Sequence, residues 1–147
     1  MNPNVKPSDR AVLLGVIDPQ SATTAKSTGW VNLGLYHSAL AVVAVGALAS
    51  TATVDAKIEQ ATSAAGAGAK NVTGRAATQL TQAGTDDNKQ VAINVTDDDL
   101  DVANSFAFIR LTVTPATAAA LIFGALFGMD PKYGPGTAIA ALDEVVG

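Results

Sequence analysis

From Thr53 to Gln60 the chain reads Thr-Val-Asp-Ala-Lys-Ile-Glu-Gln, with Val54, Ala56 and Ile58 on one side of a period of two. Thr53, Asp55, Lys57 and Glu59 take the other side. That alternation is the mark of a half-buried β-strand, in which successive side chains point to opposite faces. It constrains the fold more than composition does, because composition points the other way. The chain holds 29 Ala in 147 residues, and Ala has the best helix propensity. The alternation recurs where Val91, Ile93 and Val95 interleave with Ala92 and Asn94. It recurs again where Ala107, Ile109, Leu111 and Val113 interleave with Phe106, Phe108, Arg110 and Thr112, a pattern that suits cover on both faces. Strand is the better reading.

Turn signals divide the remainder: Asp18-Pro19, Thr28-Gly29, Gly66-Ala67-Gly68, Gly84-Thr85-Asp86-Asp87-Asn88 and Asp130-Pro131. Strands are expected near 12–17, 29–36, 38–46, 53–62, 68–73, 76–81, 89–95, 106–114 and 118–127. Many short strands at this spacing predict a mainly β, antiparallel sandwich or barrel-like (jelly-roll-like) fold. The apolar segments 38–46 and 116–127 fit either a buried strand or a buried helix, with Pro115 available as a helix start. One short helix is signalled near 97–103, with Thr96 as N-cap and acids in the first turn. The termini lack periodic pattern. The expected organisation is an N-terminal arm (1–10), one β-sandwich domain (11–130) and a C-terminal tail (131–147). In the tail, Ile139, Leu142 and Val146 fall on one face of a short helix that would need a surface to lie on.

Thirteen acidic against nine basic residues give a charge of −4, and only 15% of residues are charged, against a typical ~25%. A surface so thinly charged suits burial against other chains. The acidic balance argues against a direct nucleic-acid partner. The absence of Cys excludes disulfides, a thiolate nucleophile and Cys-based zinc. The apolar stretches Ala39 to Leu48 and Ala116 to Met129 fall short of the ~18–20 residues of a membrane-spanning helix. Met1 to Arg10 shows no apolar signal core, so a soluble chain made in the cytoplasm, with no membrane partner, is expected.

Two constellations invite chemistry. Asp97, Asp98, Asp99 and Asp101 offer carboxylates for Ca²⁺ or Mg²⁺, but their spacing is not that of an EF-hand and helix capping already accounts for them. His37, the single histidine, is accompanied by no nucleophile motif. No catalytic, cofactor or metal site is therefore assigned, and no cofactor is expected. Asn71-Val72-Thr73 and Asn94-Val95-Thr96 match the glycosylation pattern, which carries no weight without secretion. Lys57, Lys70, Arg75, Lys89 and Arg110 are dispersed through candidate strands, as solvated charges or as salt bridges to neighbouring subunits. Trp30, Tyr36, Phe106, Phe108, Phe123, Phe127 and Tyr133 read as core or interface anchors.

The segment Val54-Asp55-Ala56-Lys57-Ile58-Glu59-Gln60-Ala61-Thr62, followed by Gly66-Ala67-Gly68-Ala69-Lys70-Asn71-Val72, carries a resemblance. With Gly29-Trp30-Val31, Ala76-Ala77-Thr78-Gln79-Leu80 and Leu100-Asp101-Val102-Ala103-Asn104, it resembles small virion proteins encoded with the head genes of tailed bacteriophages and gene-transfer-agent-like particles. The likeness spans about Val12 to Tyr133 and brings no site residues with it. It implies a structural, non-enzymatic protein of the virion head, assembled in the host cytoplasm. The leading expectation is a capsid decoration (cement) protein that clamps major capsid subunits, itself a homo-oligomer, with a trimer favoured. Alternatives are a tail-tube, head–tail connector or head-spike base protein and, more remotely, a virion-associated hydrolase.

Overall fold

The computed structural model describes residues 5–139 and 141–146. The chain runs through α1 (Pro7–Arg10), β1 (Ala11–Ala22), β2 (Lys26–Ser27), β3 (Val31–Asn32), β4 (Tyr36–Leu48), β5 (Thr53–Ala61) and β6 (Lys70–Ala76). It continues through β7 (Leu80–Thr81), β8 (Gln90–Thr96), β9 (Phe108–Ala116) and β10 (Ala120–Pro131). Two antiparallel sheets result. Sheet A has the order β1-β10-β4-β8; sheet B has the order β2-β9-β5-β6, with β3 also pairing β9 and β7 pairing β5. The chain passes back and forth between the layers, giving the strand order of a double-sheet jelly roll. The layers pack as a sandwich and do not close into a barrel.

Both ambiguous apolar segments are strands. They form β4 and β10, the two central strands of sheet A, paired from Tyr36/Pro131 to Leu48/Ala120 with one register shift. Both strands carry apolar residues on their outer faces as well as their inner ones, so their sequences lose the apolar–polar alternation of a sheet with one solvated face. The inner face of β10 reads Ile122, Gly124, Leu126, Gly128, and the glycines are there for space. A Cβ on Gly124 would stand 2.9 Å from Leu111 Cδ2, and one on Gly128 would stand 2.6 Å from both Leu14 Cδ1 and Tyr36 Cδ1. Leu111 of sheet B thus reaches into a gap in sheet A at Gly124, while the gap at Gly128 is filled from within sheet A by Leu14 and Tyr36. Between the layers lie Val12, Val43, Val95, Val54, Ile58, Ile109, Leu111 and Val113, all fully buried.

Helix content differs in detail from expectation. The turn near 97–103 is present as two 3₁₀ turns, Asp97–Asp99 and Val102–Asn104, with Thr96 at the N-cap position of the first. The N-terminal arm carries one α-helical turn with Pro7 in its first positions, where a missing N–H leaves no bond unmade. The expected helix around Ile139, Leu142 and Val146 is not formed. Leu142 N–H closes a single turn on Ile139 O, and Val145 and Val146 are exposed; Ala140 lies outside the described residues. So short a helix gains too few hydrogen bonds to offset its nucleation. The tail instead docks in extended form on its own sandwich: Ile139 N–H donates to Leu13 O, and Ala138 packs on the core.

Candidate functional site

The acidic segment after β8 does not converge. Asp97 Oδ2 accepts from Lys132 Nζ at 2.6 Å, Asp99 Oδ1 from Arg75 Nη2 at 2.6 Å, and Asp101 from Lys70 and Asn104. Three acids therefore face three different cations. Asp99 also reaches back, its Oδ2 accepting from the Thr96 backbone N–H at 2.8 Å and hydroxyl at 3.2 Å. The hydrogen bond from Arg75 is the main cause that holds the Asp99 carboxyl below the usual range. Lys70, then Asn104, do the same for Asp101. Gln60 Oε1 accepts from Asp101 N–H at 2.8 Å, tying this segment to β5. Among the described residues no group of three or more His, Asp or Glu is placed to hold a metal ion. His37 is exposed near the start of β4, next to Ser38, which pairs with Thr96, and among the described residues it forms no ion pair with these acids.

The outer face of sheet B is polar and tightly cross-linked. Glu59 Oε2 accepts from Arg110 Nε and Thr112 Oγ1, both at 2.7 Å, while Lys57 Nζ lies 3.3 Å from Oε1. Burial pushes the Glu59 carboxyl up, but the hydrogen bonds from Thr112, Arg110 and Lys57 outweigh it and leave it below its ordinary value. The Arg110 guanidinium also stacks 4.6 Å from the Trp30 ring. Ser27 and Thr112 share a hydroxyl hydrogen bond at 2.9 Å, and Gln79 donates to Asp55. Lys57, Lys70, Arg75 and Arg110 thus pair within the chain. Pairing by register, Lys57 to Thr112 and Glu59 to Arg110, brings together residues some fifty positions apart in sequence.

The outer face of sheet A is its opposite. Register aligns Leu13, Phe127, Leu40 and Asn94 in one row across the four strands, and Val16, Ala125, Val42 and Ala92 in the next. Phe123, Ala44 and Gln90 follow, then Leu121, which is 46% exposed. The residues so aligned carry no charge; on the edge strand, the bulge beside Phe123 holds the exposed Asp18 and Pro19. From strand rise and spacing the face measures roughly 27 Å by 19 Å, on the order of 500 Å². Its charges stand at the rim, where Arg10 donates twice to Asp130 Oδ1. Phe123 and Phe127 flank Ala125, leaving two phenyl ridges around a low point at the centre. A shallow apolar groove lined by Pro19, Ala44, Gly46, Leu121 and Phe123 opens at one end.

Sequence reading placed Phe123 and Phe127 among the anchors but did not distinguish core from interface. The distinguishing signal is parity: odd positions from Leu121 to Met129 point away from the sandwich and carry most of the large side chains. Comparison with known proteins finds no family model, no curated protein and no solved structure that matches the chain.

Proposed function

We propose that this chain is a non-enzymatic structural protein of a tailed-phage head, a capsid decoration protein that binds the major capsid protein through the outer face of sheet A. The observation that carries the reading is that uncharged, apolar face. Exposed apolar patches of a few hundred Å² rimmed by polar groups mark interaction surfaces, and removing such area from water contributes roughly 25 cal/mol per Å² before the costs of association. The rigid central strands β4 and β10 hold the patch in fixed shape, so little order is lost on docking. Jelly rolls recur in capsid, lectin and cupin proteins; the fold accommodates the role without selecting it.

The test is binding to purified phage heads that lack the protein, followed by imaging of the decorated particle. Saturable binding at many equivalent positions on the shell is the expected result. Density confined to a tail tube or a single vertex would overturn the decoration reading in favour of a tail, connector or spike role. Absence of any particle binding would overturn the virion reading altogether.

A further inference from the structure

We propose that β8 is a self-pairing edge, at which two copies of this chain join their β8 strands antiparallel about a two-fold axis at Ile93. The two four-stranded sheets would become one sheet of eight. This inference stands apart from what the apolar face binds.

The two edges of sheet A are built differently. β1 is interrupted by two register shifts, carries Asp18 and Pro19, and has the C-terminal tail bonded to Leu13 O. Bulges, proline and cover are the usual means of blunting an edge. β8 has none of them: it pairs with β4 in unbroken register from Thr96/Ser38 to Gln90/Ala44, with no proline and no charge between Gln90 and Thr96. Val45 N–H donates to Lys89 O at 2.9 Å. Antiparallel bonding alternates along a strand, so Val91, Ile93 and Val95 also bond toward β4. The N–H and C=O groups of Gln90, Ala92 and Asn94 point away from it. Thr96 fits the same parity, since its N–H turns from β4 to Asp99. Gln90, Ala92, Asn94 and Thr96 are all exposed.

The sequence of this edge complements itself. Placed antiparallel to a second copy about Ile93, Lys89-Gln90-Val91-Ala92-Ile93-Asn94-Val95-Thr96-Asp97 sets Ala92 opposite Asn94, joining outward-pointing groups to outward-pointing groups. It also sets Gln90 opposite Thr96, where the Thr96 carbonyl alone joins because its N–H is held by Asp99. Val91 meets Val95 and Ile93 meets Ile93, extending the inner apolar row across the joint. Lys89 falls opposite Asp97 of the second copy at both ends. Lys89 is exposed and has no ion pair among the described residues, whereas Lys57, Lys70, Arg75, Arg110 and Lys132 each have one. Asp97 uses Oδ2 for Lys132 and keeps Oδ1 for a second cation. A slip of one residue would oppose groups that point back into their own sheets, and a slip of two would move Lys89 off Asp97. The joint itself carries no like charges, which matters between two chains of charge −4.

Sedimentation velocity of the full chain, from about 1 to 200 µM, tests this. The expected species has twice the 14.8 kDa chain mass. Ala92→Pro removes an outward N–H without touching a β4 bond, so it is expected to give a monomer with unchanged circular dichroism. Lys89→Asp, which sets Asp against Asp97, is expected to weaken association at least tenfold, and Lys89→Asp combined with Asp97→Lys to recover it. A wild-type monomer throughout, a trimer, or a dimer indifferent to both single variants would overturn the proposal. Failure of the double variant to recover association would overturn the register at Ile93.

Discussion

The outer faces of sheets A and B belong to one sandwich and share one core, yet they solve the problem of facing outward in opposite ways. Sheet B covers itself with Asp55, Lys57, Glu59, Arg110 and Thr112, whose side chains are satisfied within the chain by one another and, at Asp55, by Gln79. Sheet A presents Leu13, Val16, Leu40, Val42, Phe123 and Phe127, with no charge among them. A chain with only 15% charged residues has concentrated them away from one face. Polar cover that closes on itself leaves a surface with little to gain from a partner, whereas an apolar face gains by every Å² removed from water. The contrast singles out a candidate surface where sequence motifs do not.

The contrast can be broken from the inside first. Leu111 lies fully buried between the sheets, against Gly124, and Leu111→Ala is expected to cost about 2–5 kcal/mol by cavity formation. Urea unfolding would register this whichever outer face is considered, and a cost below about 1 kcal/mol would mean the layers are not packed as described. Next in size is the network on sheet B. Glu59 and Arg110 are 14% and 31% exposed at the side chain. With that solvent screening taken into account, Glu59→Ala is expected to cost about 1–2 kcal/mol, mostly through donors left without an acceptor.

Acid gives a smaller, graded effect. Glu59 and Asp99 both have carboxyls held below their ordinary values in the folded chain. Their contribution is therefore fully present above the unfolded values near pH ~4 and is lost as pH falls through the lower, folded ones. The urea midpoint should hold steady down to about pH 5 and decline below about pH 4, less steeply in Glu59→Gln. A decline that begins near pH 6 would mean that other groups govern acid stability. Smallest of all is Val42→Thr on sheet A, expected to change stability by about 0.5 kcal/mol or less. A large loss there would show that the outer face of sheet A is structural cover and not a free surface.

Much of the fold was legible. The alternation at Val54, Ala56 and Ile58 predicted β5, and that at Val91, Ile93 and Val95 predicted β8, because each strand has one face in the core and one facing out. β4 and β10 were ambiguous because their outer sides carry apolar residues as well, which erases the period of two. That ambiguity was itself the trace of the candidate surface. The tail misled because Ile139, Leu142 and Val146 have helical spacing, while the gain from bonding Ile139 N–H to Leu13 O is a tertiary matter that local pattern does not encode. The ion pairs of sheet B were hidden for the same reason: Glu59 and Arg110 meet only through the register of β5 on β9.

The most direct measurement compares one charge placed on each face. Val42→Asp sets a carboxylate at the centre of sheet A's outer face. Ala76→Asp sets one on sheet B, opposite Lys57. Each variant, checked for a native circular dichroism spectrum, is sedimented with purified phage heads beside the wild-type protein. The account expects Ala76→Asp to pellet with heads like wild type and Val42→Asp to remain in the supernatant. Val42→Asp pelleting as fully as wild type, or Ala76→Asp failing to pellet while folded, would contradict it.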